Sequence, residues 1–125
     1  MSVQHYRELI VWQKAIVLVE EVYRATNSFP KTEIYALTNQ IRRAAVSIPS
    51  NIAEGQGRNS TRDFLHFLSV AQGSLMELET QITIAERLGY FDRMHEQNLL
   101  NSTAEVSRML SGLRNSLNKK LATNH

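Results

Sequence analysis

Four arginines in the middle of the chain, Arg42, Arg43, Arg58 and Arg62, are the side chains best suited to chemistry. A guanidinium presents a rigid fork of donors that matches phosphate oxygens, so the chemistry implied is electrostatic capture of a nucleic-acid backbone. Glu54, Asp63 and His66 lie close to the later pair, and a carboxylate beside an imidazole invites an acid–base reading. That reading lacks its complement, because neither a nucleophile nor a phosphate-cradling loop accompanies the group. Glu54 and His66 are therefore expected to form a structural polar network, with Arg58 and Arg62 as the better candidates for ligand contact. No catalytic residue and no cofactor is expected, which makes the chain a non-enzymatic protein on this reading.

Asp63 and His66 also form an Asp-x-x-His spacing, repeated at Asp92 and His95. Helical bundles hold paired metals through the similar Glu-x-x-His pattern. The two copies fall at opposite ends of one predicted helix, roughly 39 Å apart, so one intrasubunit site cannot use both. Asp63 reads instead as a favourable charge at a helix start and Asp92 as an N-cap. His5 and His125 lie near the termini and complete no cluster, so no metal site is expected.

The elements that position these residues are helices. Apolar steps at Leu9, Trp12, Ile16, Val19 and Tyr23, with a second stripe at Val11, Ala15, Leu18 and Val22, describe a helix buried on more than one side. Asn27-Ser28-Phe29-Pro30 ends it. A second helix is predicted from Thr32 or Glu33, with apolar steps at Ile34, Leu37, Ile41, Ala45, Ile48 and Ile52. The phase survives Pro49, which predicts one kinked helix whose freed carbonyl at Ala45 is helped by Ser47 or Ser50. Gly55-Gln56-Gly57 reads as its stop, and Ser60 as the cap of a third helix through its reach to the Asp63 amide.

Phe64, Leu68, Ala71, Leu75, Leu78, Ile82 and Ala85 then repeat at alternating steps of four and three, the seam of a supercoiled bundle. Ser69, Gly73 and Ser74 add small residues where a backbone can approach. After a Gly89 stop and an Asp92 cap, a fourth helix follows through Leu99, Val106, Leu110, Leu113 and Leu117, with Ala122 to His125 read as a fraying end. Short connections between such helices predict an all-α, up-down-up-down four-helix bundle in a single domain. The aromatic residues, at helical spacing, are expected in the core, Tyr35 being the one whose place at a helix start least requires it.

Composition narrows the rest. The 125 residues contain no Cys, which excludes disulfides and suits a cytoplasmic location. The first helix is interrupted by Gln13, Lys14 and Glu20, which argues against a signal peptide or membrane span. A net charge of +2, from 14 basic and 12 acidic residues, does not by itself announce nucleic acid. Apolar faces in excess of one bundle's needs predict a homo-oligomer.

The runs YRELIVWQKA, FPKTEIYALTNQIRRAAVSIPSNIAEGQGR and FLHFLSVAQGSLMELETQITIAERLGY resemble the four-helix-bundle family of 23S rRNA intervening-sequence proteins, over about residues 5 to 91. That resemblance implies a small bacterial protein, some members being encoded within insertions in 23S rRNA genes, and a barrel-like homopentamer. A related branch serves diversity-generating retroelements, where a basic pentamer associates with reverse transcriptase and with RNA or DNA. The sequence departs from the family's pattern at Ala36 and Ser69, positions that touch packing.

If the second and third helices fold back around Asn59, Arg43 faces the stretch from Leu75 to Glu79. Glu77 and Glu79 are then the expected ion-pair partners of Arg42 and Arg43, within a subunit or between two, and phosphate contact is the competing role for these arginines. The function expected is that of an RNA-associated accessory protein, the alternative being an oligomeric protein–protein scaffold without a nucleic-acid ligand.

Overall fold

Proline and glycine punctuate the backbone close to where the sequence places them. In the computed structural model, which describes residues 5–123, α1 spans Ile10–Thr26, α2 Leu37–Gln56, α3 Thr61–Arg87 and α4 Arg93–Thr123. Short 3-10 turns occupy Tyr6–Glu8 and Lys31–Glu33. No strand occurs among the described residues, and His125 lies outside them. Each helix packs on its neighbours in chain order and α4 closes back on α1, the four-helix bundle that short connections impose. No helix among the described residues is long and apolar enough to cross a membrane.

The two stripes of α1 divide their work. Val11, Ala15, Leu18 and Val22 are buried, whereas Leu9, Trp12, Ile16 and Val19 are half-buried. Trp12, Ile16 and Val19 meet Val46, Pro49 and Ala53 of α2 along an apolar groove of about 280 Å³. At the far end of α1, Phe29 turns inward onto Tyr90 and Phe91, with ring centroids 5.3 and 4.8 Å apart.

α2 begins later than its apolar steps imply. Ile34 keeps the phase of Ile41 yet is 51% exposed, and Tyr35 is 92% exposed. Ala36, at φ −124° and ψ −108°, stands outside the helical region. What sets the start is a long-range contact. Glu33 accepts the Leu37 N–H at 3.3 Å and the Tyr90 hydroxyl at 2.7 Å, and the second bond holds the Tyr90 phenol above its ordinary pKa, since ionising it would set two anions together.

The helical backbone then runs through Pro49 without interruption, and Ile41, Ala45, Ile48 and Ile52 are all buried, as the unbroken phase requires. The side-chain help around the proline differs from expectation. Ser50 Oγ donates to the Val46 carbonyl and Asn51 Nδ2 to the Ser47 carbonyl, each at 2.8 Å, while Ser47 Oγ pairs with Ser74 Oγ on α3.

α3 starts on its predicted cap, Ser60 Oγ accepting the Asp63 N–H at 3.0 Å. It ends in a left-handed Gly89 (φ 80°), with Gly89 N–H bonded to the Glu86 carbonyl and Tyr90 N–H to that of Ala85, both at 2.9 Å. Asp92 caps α4, accepting from the His95 backbone at 2.8 Å and meeting the His95 ring at 2.7 Å; these bonds hold its carboxyl below the ordinary carboxylate range. Ala122 and Thr123, read as fraying, complete the last turn of α4.

Candidate nucleic-acid interface

The turn between α2 and α3 is built by a glycine whose role the sequence does not reveal. Gly55 reads as a helix stop, but it lies inside α2 and is buried. An ideal Cβ placed on it would sit 2.7 Å from Phe67 Cβ and 3.2 Å from the Phe64 carbonyl oxygen. The missing side chain therefore lets the last turn of α2 press onto the first turns of α3. The helix ends only after Gln56, and Gly57 caps it at φ −74° without left-handed geometry.

Arg58 leaves this tight corner along its outer surface. Its Nη2 lies 3.1 Å from Glu54 Oε2, both side chains being about half exposed, and its Cζ stands 5.0 Å from the Phe67 ring centroid. Arg58 and the Asn59–Thr61 turn line one wall of an open groove of about 450 Å³, with Phe64 beneath and Leu117 and Lys120 of α4 opposite. No carboxylate lines it. Arg62 is exposed one residue further into α3. Lys120 is the functional candidate that sequence reasoning missed. Its signal was the topology, since an up-down bundle returns the end of α4 to the α2–α3 turn.

The polar network expected around Glu54 forms differently. Glu54 takes Arg58 rather than His66, which is exposed and meets Phe67 edge-on with centroids 5.3 Å apart. Within the chain, the ion pairs expected between Arg42 or Arg43 and Glu77 or Glu79 are also absent. Arg42 turns to α1 instead: Nε donates to Thr26 Oγ1 at 2.8 Å, Nη2 to Asn27 Oδ1 at 3.2 Å, and Cζ lies 4.6 Å from the Tyr23 ring centroid. Glu79 accepts from Thr103 of α4 at 2.7 Å, and Glu77 from Gln81 at 3.2 Å. The register of the hairpin is near the predicted one, because Ser47 faces Ser74. Within one chain the difference is angular, with Arg42 on the α1 flank of α2 and Glu79 on the α4 flank of α3. Arg43 is exposed and joins no ion pair among the described residues.

Among the aromatics, Phe29 and Phe91 are buried and Trp12, Phe64, Phe67 and Tyr90 half-buried, while Tyr23 joins Tyr35 on the exposed surface. Asp92 and His95 come together, but no three His, Asp or Glu side chains gather into a metal-ligating set among the described residues.

The comparisons with known proteins agree with this architecture. The family model described as 23S rRNA-intervening sequence protein matches residues 7–112. The fold is similar to the crystal structure of a protein of unknown function from the S23 ribosomal protein family of Bacteroides thetaiotaomicron, with a TM-score of 0.76 and 22% identity. That likeness covers 84% of this chain and 98% of the other. No curated protein matches the chain at a significant level.

Proposed function

The chain belongs to the 23S rRNA-intervening sequence protein family, and from that premise we propose that it is a non-enzymatic accessory protein that associates with RNA through the α2–α3 end of its bundle. The observation that carries the reading is the convergence of Arg58 and Lys120, from elements far apart in sequence, on one open groove free of carboxylates. Arg62 adds a third exposed cation at the same end. The Arg58–Glu54 pair does not block the role, because an exposed pair at this helical spacing is worth only about 0.3–0.5 kcal/mol and yields to a phosphate. Contacts of this kind position a backbone without reading bases.

Fluorescence anisotropy with a structured RNA, run across a salt series, tests the proposal. Arg58→Gln, Arg62→Gln and Lys120→Gln should each weaken binding evenly across sequences and reduce the salt slope by about one. Absence of binding at low salt removes the proposal. A second reading, an oligomeric protein–protein scaffold, is favoured by the apolar groove between α1 and α2, lined by Trp12, Ile16, Val19, Val46 and Pro49. Self-association there accompanies RNA binding on the first reading and replaces it on the second. Light scattering reads the oligomer directly, and a monomeric mass refutes the self-association in both.

A further inference from the structure

The flank between α1 and α2 gathers positive charge. Two adjoining cavities of about 520 and 160 Å³ share Ile34, Thr38 and Arg42 as walls. Arg43 lines the larger and Lys31 the smaller, and no carboxylate lines either. None of these three cations joins an ion pair among the described residues. Glu33, the nearest acid in sequence, is already committed to the Leu37 N–H and the Tyr90 hydroxyl.

The polar groups on this flank are set in advance. Arg42 is clamped by Thr26 and Asn27 and lies over Tyr23, so its guanidinium plane is fixed while Nη1 has no partner among the described residues. Thr38, 5% exposed, walls both cavities.

We propose that this flank binds a phosphate monoester, its oxyanion held between Arg43 and the free edge of Arg42, with Lys31 adding charge from the adjoining cavity. Ile34, Val46 and Tyr23, 51%, 40% and 41% exposed, provide an apolar wall for the organic group that the phosphate carries. The site is separate from the α2–α3 end and does not rest on the RNA reading of that end.

Calorimetric titration in phosphate-free buffer with inorganic phosphate, adenosine monophosphate, and one short RNA bearing either a 5′-phosphate or a 5′-hydroxyl tests the assignment. Phosphate should bind saturably and adenosine monophosphate more tightly. Arg43→Gln, at an exposed position that leaves the fold intact, should weaken both about tenfold. Arg108→Gln, an exposed arginine on α4, should change neither. Preference for the 5′-phosphorylated RNA over its 5′-hydroxyl form assigns the site to RNA ends, and its absence assigns the site to free phosphomonoesters. Binding of the 5′-hydroxyl RNA reports the α2–α3 end and should survive Arg43→Gln. No saturable response to phosphate or adenosine monophosphate, or a response undiminished in Arg43→Gln, overturns the proposal.

Discussion

Replacing Gly55 by Ala tests the claim that the α2–α3 corner is set by a close helix approach. On propensity alone the change should help, because Ala is better than Gly in a helix interior by about 1 kcal/mol. The surroundings oppose it. The added methyl meets Phe67 Cβ at 2.7 Å, Phe64 Cδ1 at 3.0 Å and the Phe64 carbonyl oxygen at 3.2 Å. A ring atom can swing aside, but a Cβ and a carbonyl oxygen move only with the α3 backbone, so the two helices must separate. Overpacking of this kind costs about 1–3 kcal/mol, and here it falls at the upper end because the yielding atoms belong to the main chain. The net loss is then about 1–2 kcal/mol, which for a chain of this size lowers the melting temperature by roughly 4–8 °C. Gly112→Ala is the control: nothing lies within 4 Å of its Cβ position in the middle of α4, so propensity acts alone and stability rises. Circular dichroism melts and urea titrations of the two variants read the difference. If Gly55→Ala proves as stable as the wild type, or gains as Gly112→Ala does, the helices are not held together in the way the geometry implies.

Arg42→Ala should lower stability by about 1–2 kcal/mol in urea, because it removes charge-assisted bonds to Thr26 and Asn27, whereas Arg43→Ala should fall within about 0.5 kcal/mol of the wild type. Asp92→Ala removes the α4 cap and should lower the melting temperature at neutral pH. The Asp92 carboxyl is held low in the fold, so the stability it contributes is present above the unfolded value of about 4 and lost as pH falls through the lower folded value. The gap between wild type and Asp92→Ala should therefore close in acid, which melts across a pH series will show. Tyr90 is held high, so the stability of its bond to Glu33 is present below about pH 10 and lost as pH rises through the folded pKa. Tyr90→Phe should be less stable near neutrality, and ultraviolet titration of the wild type should show one late tyrosine that the variant lacks.

The architecture was legible because its signals are periodic. The seam from Leu68 to Ala85 and the phase carried across Pro49 each repeat several times, so no single exception obscures them, and all these seam residues are buried. Boundaries that depend on one local pattern were legible too: Ser60 and Asp92 cap the helices they precede, and Gly89 adopts the left-handed turn a stop requires. The start of α2 was not. Ile34 fits the apolar phase, but a bond between Glu33 and Tyr90, remote in sequence, determines where the helix begins. Periodicity reports what a helix would bury if formed, and cannot report a competing turn anchored by a distant side chain.

The candidate site divides along the same line. Folding the hairpin about Asn59 placed the right levels of α2 and α3 opposite each other, and the Ser47–Ser74 bond confirms that alignment. Level is only one of two coordinates on a helix. Successive side chains are turned by about 100°, so Arg42 and Glu79 stand at similar heights on outward flanks, one facing α1 and the other α4. Within one chain, therefore, Arg42 and Arg43 do not meet Glu77 or Glu79, because matching height does not match angle. Glu77 bonds Gln81 and Glu79 bonds Thr103, Arg43 joins no ion pair among the described residues, and Arg42 is a brace for α1. Height without angle does suffice at a bundle end, where side chains from several helices point past the last turns. That is why Arg58 and Lys120 meet across one groove.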